Sequence, residues 1–137
     1  LETLKEQAAT VPRGNGTLMD DPAFKAKVAE LEIDLMASEY TELRSLASAA
    51  AGAAPGPESS ILKLKGTEIQ QRIQKLTVEA SGIYAPAWGG KRVGFPFAKS
   101  GMSGYLSSRA YTIYGGASEV QRDVIAKNVL GIKRSGK

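Results

Sequence analysis

The chain has 137 residues, 42% apolar and 23% charged, with a net charge of +4 from 18 basic and 14 acidic side chains. That fits one globular domain, offers no basic stripe for nucleic acid and holds no apolar run of membrane-spanning length. The absence of Cys and His excludes disulfides, thiolate zinc sites, thiol nucleophiles and imidazole acid–base chemistry; the missing Cys fits a reducing, cytoplasmic setting.

The chain opens on Leu1, and LETLKEQA reads as the end of a helix already under way. Residues 1–19 are therefore expected to be an incoming helix end and loop within a longer chain. TVPRGNGT, with Pro12, Gly14 and Gly16, breaks the helical pattern and predicts a loop. Asp20 and Asp21 then precede Pro22. One aspartate can accept from free N–H groups while the proline takes the first helical position. From there Phe24, Val28, Leu31 and Leu35 recur at helical spacing, and Leu43 and Leu46 continue the face. Met36, Tyr40, Leu43 and Ala47 form a second stripe, which predicts partners on two sides. Gly52 is the expected stop.

AAGAAPGPESS predicts a loop, and SILKLKGTEIQQRIQKLTVEASG a second long helix running to Gly82, antiparallel to the first. Its apolar face is Leu62, Ile69, Ile73, Leu76 and Ala80, and Gly66 is expected to allow close packing. IYAPAWGGKRVGFPFAKSG is irregular and carries Tyr84, Trp88, Phe95 and Phe97. Such a loop either clamps itself to the bundle through its rings or covers a ligand. A third helix is predicted over about residues 100–113, and a fourth over SEVQRDVIAKNVL with Val120, Val124, Ile125 and Val129 as its apolar residues. Residues 132–137, with Lys133, Arg134 and Lys137, read as a solvated basic tail. Together these elements predict an all-α domain over 1–137, an antiparallel up-and-down four-helix bundle.

Four motifs carry no chemistry on this reading. Ser60 and Lys63 match a bare Ser-x-x-Lys with no companion motif. Asn15-Gly16-Thr17 is a formal sequon without a secretory signal. Gly89-Gly90-Lys91 lacks the spacing of a phosphate-binding loop. Glu30, Asp34, Glu39 and Glu42 form a carboxylate-bearing face that, without any Glu-x-x-His, reads as solvated rather than metal-binding.

The most informative stretch is IYGGASEVQRDVIAKNVLG, residues 113–131. Gly115 and Gly116 sit at the mouth of the last helix. They serve either as a tight helix–helix turn or as bare backbone that a ligand approaches. Ala117, Ser118 and Glu119 follow, where free N–H groups and the positive end of the helix dipole gather. Such a place suits a pyrophosphate or another electron-rich cofactor group.

YLSSRAYTIYGGASEVQRDVIAKNVLG, residues 105–131, resembles the closing signature of acyl-CoA dehydrogenases. DDPAF…LEIDL…ELRSL and ILKLKGTEIQQRI resemble the first two helices of that family's C-terminal domain. The resemblance implies an FAD-dependent enzyme that oxidises the Cα–Cβ bond of an acyl-CoA thioester to a trans-2-enoyl-CoA, a carboxylate taking the α-proton and the flavin the β-hydride. It implies homo- or hetero-oligomers with FAD at the subunit boundary, and a separate electron-accepting partner such as a flavoprotein. This chain would be the C-terminal helical domain, with further domains upstream.

Carried over by position, the resemblance places Gly115 where many members have the catalytic glutamate, so this chain supplies no catalytic residue. Gly116 matches the glycine bordering the thioester, and Tyr114 either lines the acyl pocket or belongs to the core. Ala117, Ser118 and Glu119 match the step that contacts FAD, with Ala117 in place of the usual threonine. Glu79 stands where many members have a glutamine that reaches a partner's FAD, and GIYAPAWGG replaces the Gly-Gly-x-Gly that follows it. The base then comes either from an earlier helix or from a second, base-bearing subunit, and the chain alone is expected to be inactive. The competing reading is a non-catalytic helical assembly or adaptor domain that kept the fold without the flavin.

Overall fold

In a computed structural model of the chain, which describes residues 1–52, 54, 56–86 and 93–132, the expected helix start is built around Asp21. Its Oδ1 accepts from the backbone N–H of Ala23 at 2.9 Å and Phe24 at 3.2 Å, and Pro22 opens the helix. These bonds satisfy two amides that an isolated helix end leaves open. The helices among the described residues are α1 (Glu2–Ala8), α2 (Pro22–Ala50), α3 (Glu58–Ser81), α4 (Ala98–Ser108) and α5 (Ser118–Asn128). The sequence readings of Trp88, Gly89, Gly90 and Lys91, and of Lys133, Arg134 and Lys137, lie outside the described residues.

The segment expected to be a plain loop contains a short antiparallel hairpin, β1 (Pro12–Arg13) with β2 (Gly16–Thr17), pairing Pro12 with Thr17 and Arg13 with Gly16. Two-residue strands are too short to display alternation in the sequence. The hairpin is followed by a turn in which Asp20 Oδ2 accepts from both the N–H and the hydroxyl of Thr17, each at 2.8 Å.

The chain divides into two compact units, Leu1–Ile33 with Ile69–Arg109, and Asp34–Glu68 with Ala110–Lys137. The first unit holds the hydrophobic core. Leu4 and Ala8 of α1, Phe24, Val28 and Leu31 of α2, and Ile69, Leu76 and Ala80 of α3 are buried together, with Phe97 beside them. Within this unit α2 and α3 run antiparallel, as expected. Lys27 pairs with Glu79, and Glu30 with Arg72 at 3.1 Å, so the order reverses along the two helices. Tyr84, Phe95 and Phe97 form a chain of ring contacts, Tyr84–Phe95 edge-on at 5.9 Å and Phe95–Phe97 stacked at 5.5 Å. Phe95 packs on the core cluster. The described part of the aromatic segment is thus a clamp.

Gly66, expected to allow close packing, is exposed with nothing within 4 Å of where a side chain would start. The close approach is at buried Gly101 on α4, where an added Cβ would lie 3.3 Å from Thr77 Cγ2 of α3. The third helix also ends earlier than the sequence suggested. At Ser108 the hydroxyl donates to the Tyr105 carbonyl at 2.7 Å, competing with the helical pattern, and Arg109–Thr112 tightens into a 3-10 turn.

The second unit is built differently. Ser38, Thr41 and Ser45 of α2 turn their hydroxyls back onto the carbonyls of Asp34, Ala37 and Thr41. Ser38 and Thr41 line a small apolar groove shared with Ile61, Leu62 and Lys65 of α3. Met36, Tyr40 and Leu43, expected to meet a second helical partner, are instead 57%, 65% and 59% exposed. On α5, Val124 and Ile125 are half-buried, while Val120, and Val129 just past the helix end, both expected to belong to its apolar face, are exposed. No described helix is long and apolar enough to cross a membrane.

Candidate functional site

The glycine turn is held from below by α3. Lys63 Nζ donates to the Tyr111 carbonyl at 3.1 Å, and the Thr67 hydroxyl reaches the same oxygen at 3.5 Å while donating to the Lys63 carbonyl at 2.8 Å. Lys63 is thus a buttress, which agrees with reading the Ser-x-x-Lys match as chance. Neither Lys63 nor Thr67 had a role in the sequence reading. Their only signal was two polar residues four apart on a helix face, a spacing that also suits solvent exposure.

Beyond Tyr111 the chain closes with hydrogen bonds from the N–H groups of Ile113 and Tyr114 to the Ala110 carbonyl, at 2.9 and 3.1 Å. Tyr111 and Tyr114 meet edge-on, with ring centroids 5.5 Å apart. Partial desolvation of the Tyr114 phenol, reinforced by Tyr111, raises its pKa above the usual tyrosine value. It therefore stays protonated and able to donate a hydrogen bond at neutral pH. Its side chain is 56% exposed, which favours a surface role over a core one.

Gly115 and Gly116 have φ of 69° and 100°, the left-handed region that L side chains resist. Gly115 is exposed with open space on its side-chain side. Gly116 is half-buried beside the Gln121 amide. The turn is therefore neither sealed in hydrocarbon nor filled by a neighbouring backbone. Ala117 is extended at the N-cap of α5 and has no side-chain oxygen to cap the helix. Its carbonyl accepts from Gln121 at 3.0 Å, whereas the amides of Ser118, Glu119 and Val120 precede the first intrahelical donor. Ser118 is buried at 5% exposure and Glu119 is exposed. Arg122 to Glu68, at 3.2 Å, ties α5 to α3.

The second unit thus brings Tyr114, Gly115, Gly116, Ala117, Ser118 and Glu119 into one short stretch. Glu79 belongs to the first unit, where its carboxylate is engaged by Lys27. The donor set at the turn is backbone N–H at a helix start, which fits an anionic cofactor group; Ala117 adds no hydroxyl to it.

The model of the acyl-CoA dehydrogenase C-terminal domain family matches residues 1–130. The chain belongs to this family. Members are generally FAD-dependent oxidoreductases of acyl-CoA metabolism. Similar curated relatives include the acyl-CoA dehydrogenase IpdE1 of Mycobacterium tuberculosis, 58% identical over 33 residues, which is 24% of this chain and 9% of that protein. The acyl-CoA dehydrogenase IpdE1 of Mycolicibacterium smegmatis is 61% identical over 33 residues, 24% of this chain and 8% of the relative. The fold is similar to a chain in the crystal structure of the ChsE4-ChsE5 complex from Mycobacterium tuberculosis, with a TM-score of 0.76 at 24% identity. That match covers 98% of this chain and 35% of the solved one. The chain therefore spans about a third of its solved structural neighbour, and the matched stretches span less than a tenth of the curated relatives.

Proposed function

We propose that residues 1–137 serve as the C-terminal helical domain of an FAD-dependent acyl-CoA dehydrogenase, packed in the whole enzyme as a four-helix up-and-down bundle. The enzyme would convert an acyl-CoA to its trans-2-enoyl-CoA, pass the electrons to a separate acceptor and act as a cytoplasmic oligomer. The observation that carries the reading is the open Gly115–Gly116 turn at the uncapped start of α5. When bound, FAD would supply the hydride acceptor. This chain's own part is binding and orientation. The amides of Ser118 and Glu119, with the Ala117 segment, would face the cofactor; Gly116 would border the thioester; Tyr114 would offer its phenol beside the acyl group; and Glu79 would lie toward a partner's cofactor.

Gly115 supports a base located elsewhere, since its backbone holds no proton acceptor of useful pKa. A base-lacking subunit of a heteromeric enzyme satisfies the same observation, and the similarity to a chain of a two-component complex favours keeping that form of the proposal. The test is flavin content. The full-length protein, purified and scanned in the visible range, is expected to carry flavin absorbance or to gain it with added FAD. A colourless protein that takes up no FAD would leave the non-catalytic assembly domain as the correct reading.

A further inference from the structure

In the second unit Ser38, Thr41, Ser45 and Thr67 each satisfy their hydroxyls on a carbonyl four residues back. The first turn of α5 is different. Ser118 opens the helix and has no helical turn behind it. It is 5% exposed, and among the described residues its hydroxyl has no hydrogen bond. The half-buried carboxamide of Gln121, three residues on, has none either. Buried polar atoms are nearly always paired. Among the described residues no sealed side-chain N or O lacks a partner, so both groups open to solvent rather than into the protein.

The place of the Gln121 side chain follows from its neighbours. Its backbone N–H closes the first turn on the Ala117 carbonyl at 3.0 Å, one turn away on the same face. Helical side chains lean toward the N-terminus. Ala117 offers only a methyl group and Gly116 no side chain at all, so the Gln121 chain folds back over the glycine turn. Its Nε2 occupies the space that a Gly116 Cβ would take, with the carboxamide carbon 3.4 Å from that position. Gly115, one residue earlier, has open space on its side-chain side. The turn therefore presents a neutral side-chain donor with two N–H bonds beside an open approach, and not bare backbone alone.

We propose that Gln121 is a substrate-binding residue whose side-chain N–H donates to the carbonyl oxygen of an acyl thioester lying against Gly116. This deepens the proposed function and rests on it for the identity of the ligand. In the free protein water partners the carboxamide. The thioester carbonyl displaces that water and returns its hydrogen bond, so no donor is left unpaired on binding. The carbonyl oxygen gains negative charge as the α-proton leaves, so the same bond strengthens during the reaction.

The test uses the full-length protein and two ligands, octanoyl-CoA and S-octyl-CoA, the thioether that lacks only the carbonyl oxygen. Isothermal titration gives both affinities, flavin absorbance is recorded on the same samples, and urea unfolding gives stability. Gln121→Leu keeps the bulk and removes the donor; Gln121→Glu keeps the shape and replaces the donor with an acceptor. Both are expected to lower octanoyl-CoA affinity relative to S-octyl-CoA affinity by on the order of tenfold. S-octyl-CoA binding to the Leu variant should change by about twofold at most, and its urea midpoint should stay near wild type because no protein hydrogen bond is lost. Equal losses for thioester and thioether would overturn the proposal by making Gln121 a shaper of the turn. Unchanged octanoyl-CoA affinity would also overturn it, while wild-type flavin and acyl-CoA binding left the proposed function standing. A wild type that takes up neither flavin nor either CoA ligand would overturn both.

Discussion

Lys27 Nζ stands 2.5 Å from a carboxylate oxygen of Glu79, joining α2 to α3 within the first unit. The resemblance to the family puts a neutral glutamine where Glu79 stands, and the ion pair shows how this chain accommodates the charge. Both side chains are substantially exposed, 48% and 40%, so water screens the pair. Glu79→Gln is expected to change unfolding free energy by less than about 1 kcal/mol. Under the proposed placement toward a partner's anionic cofactor, the same change tightens FAD retention, because it removes a like charge and leaves Lys27 in place. Urea unfolding and equilibrium dialysis of FAD measure the two effects separately.

Asp21 supplies a pH-dependent prediction. Hydrogen bonds from the N–H groups of Phe24 and Ala23, then the nearby Arg13, hold its carboxyl below the usual aspartate value. A carboxylate depressed on folding contributes stability above its unfolded pKa, near 3.9, and loses it as pH falls through the folded pKa. Asp20, lowered by the Thr17 N–H and hydroxyl, acts in the same direction. Asp21→Asn keeps an N-cap oxygen but cannot titrate. Its thermal midpoint is therefore expected to fall less than that of wild type between neutral pH and strongly acidic pH. Asp21→Ala, which loses the cap, is expected to melt lower than wild type at neutral pH. Circular dichroism melts across that range distinguish the two.

Helix starts and the first core stripe as far as Leu31 were legible because each rests on local chemistry, whereas Leu43 and Leu46, expected to continue that stripe, are exposed. Asp21–Pro22 needs only its own amides, and Phe24, Val28 and Leu31 meet a partner the same chain supplies. Gly115–Gly116 was legible for the same reason, since positive φ is a property of the residue itself. What the sequence misplaced depends on a remote or missing partner. Met36, Tyr40 and Leu43 have the pattern of core residues, and periodicity cannot tell whether the partner is within the chain. Lys63 donates to, and Thr67 lies beside, a carbonyl more than forty residues away, a relationship that no spacing rule encodes.

Gly66, where sequence and structure disagree, and Gly101, where the close approach is found instead, offer a paired test. Gly66 is exposed on α3 with open space around it, so Gly66→Ala should stabilise by about 0.5–1 kcal/mol through helix propensity. Gly101 faces Thr77 and Ser81 at 3.3 and 3.5 Å, so Gly101→Val should overpack the α3–α4 contact and cost about 1–3 kcal/mol. Equal effects at the two sites, read from urea midpoints, would remove α4's close approach as the reason for Gly101.

At the candidate site the glycine pair can be separated into strain and access. Both residues have positive φ, so any side chain there costs roughly 1–2 kcal/mol in backbone conformation. Gly115→Ala adds little beyond that, since its new methyl group meets nothing within 4 Å. Gly116→Ala presses on the terminal amide of Gln121, a flexible end that can move, and points a side chain into the place proposed for the thioester. The two variants are therefore expected to lose similar stability in urea unfolding. They should differ in acyl-CoA affinity, which isothermal titration on the full-length protein would read as a fall of on the order of tenfold for Gly116→Ala and less for Gly115→Ala. Matched affinities with matched stability losses would mean that the turn is glycine-bearing for its own conformation, and that no ligand comes near it.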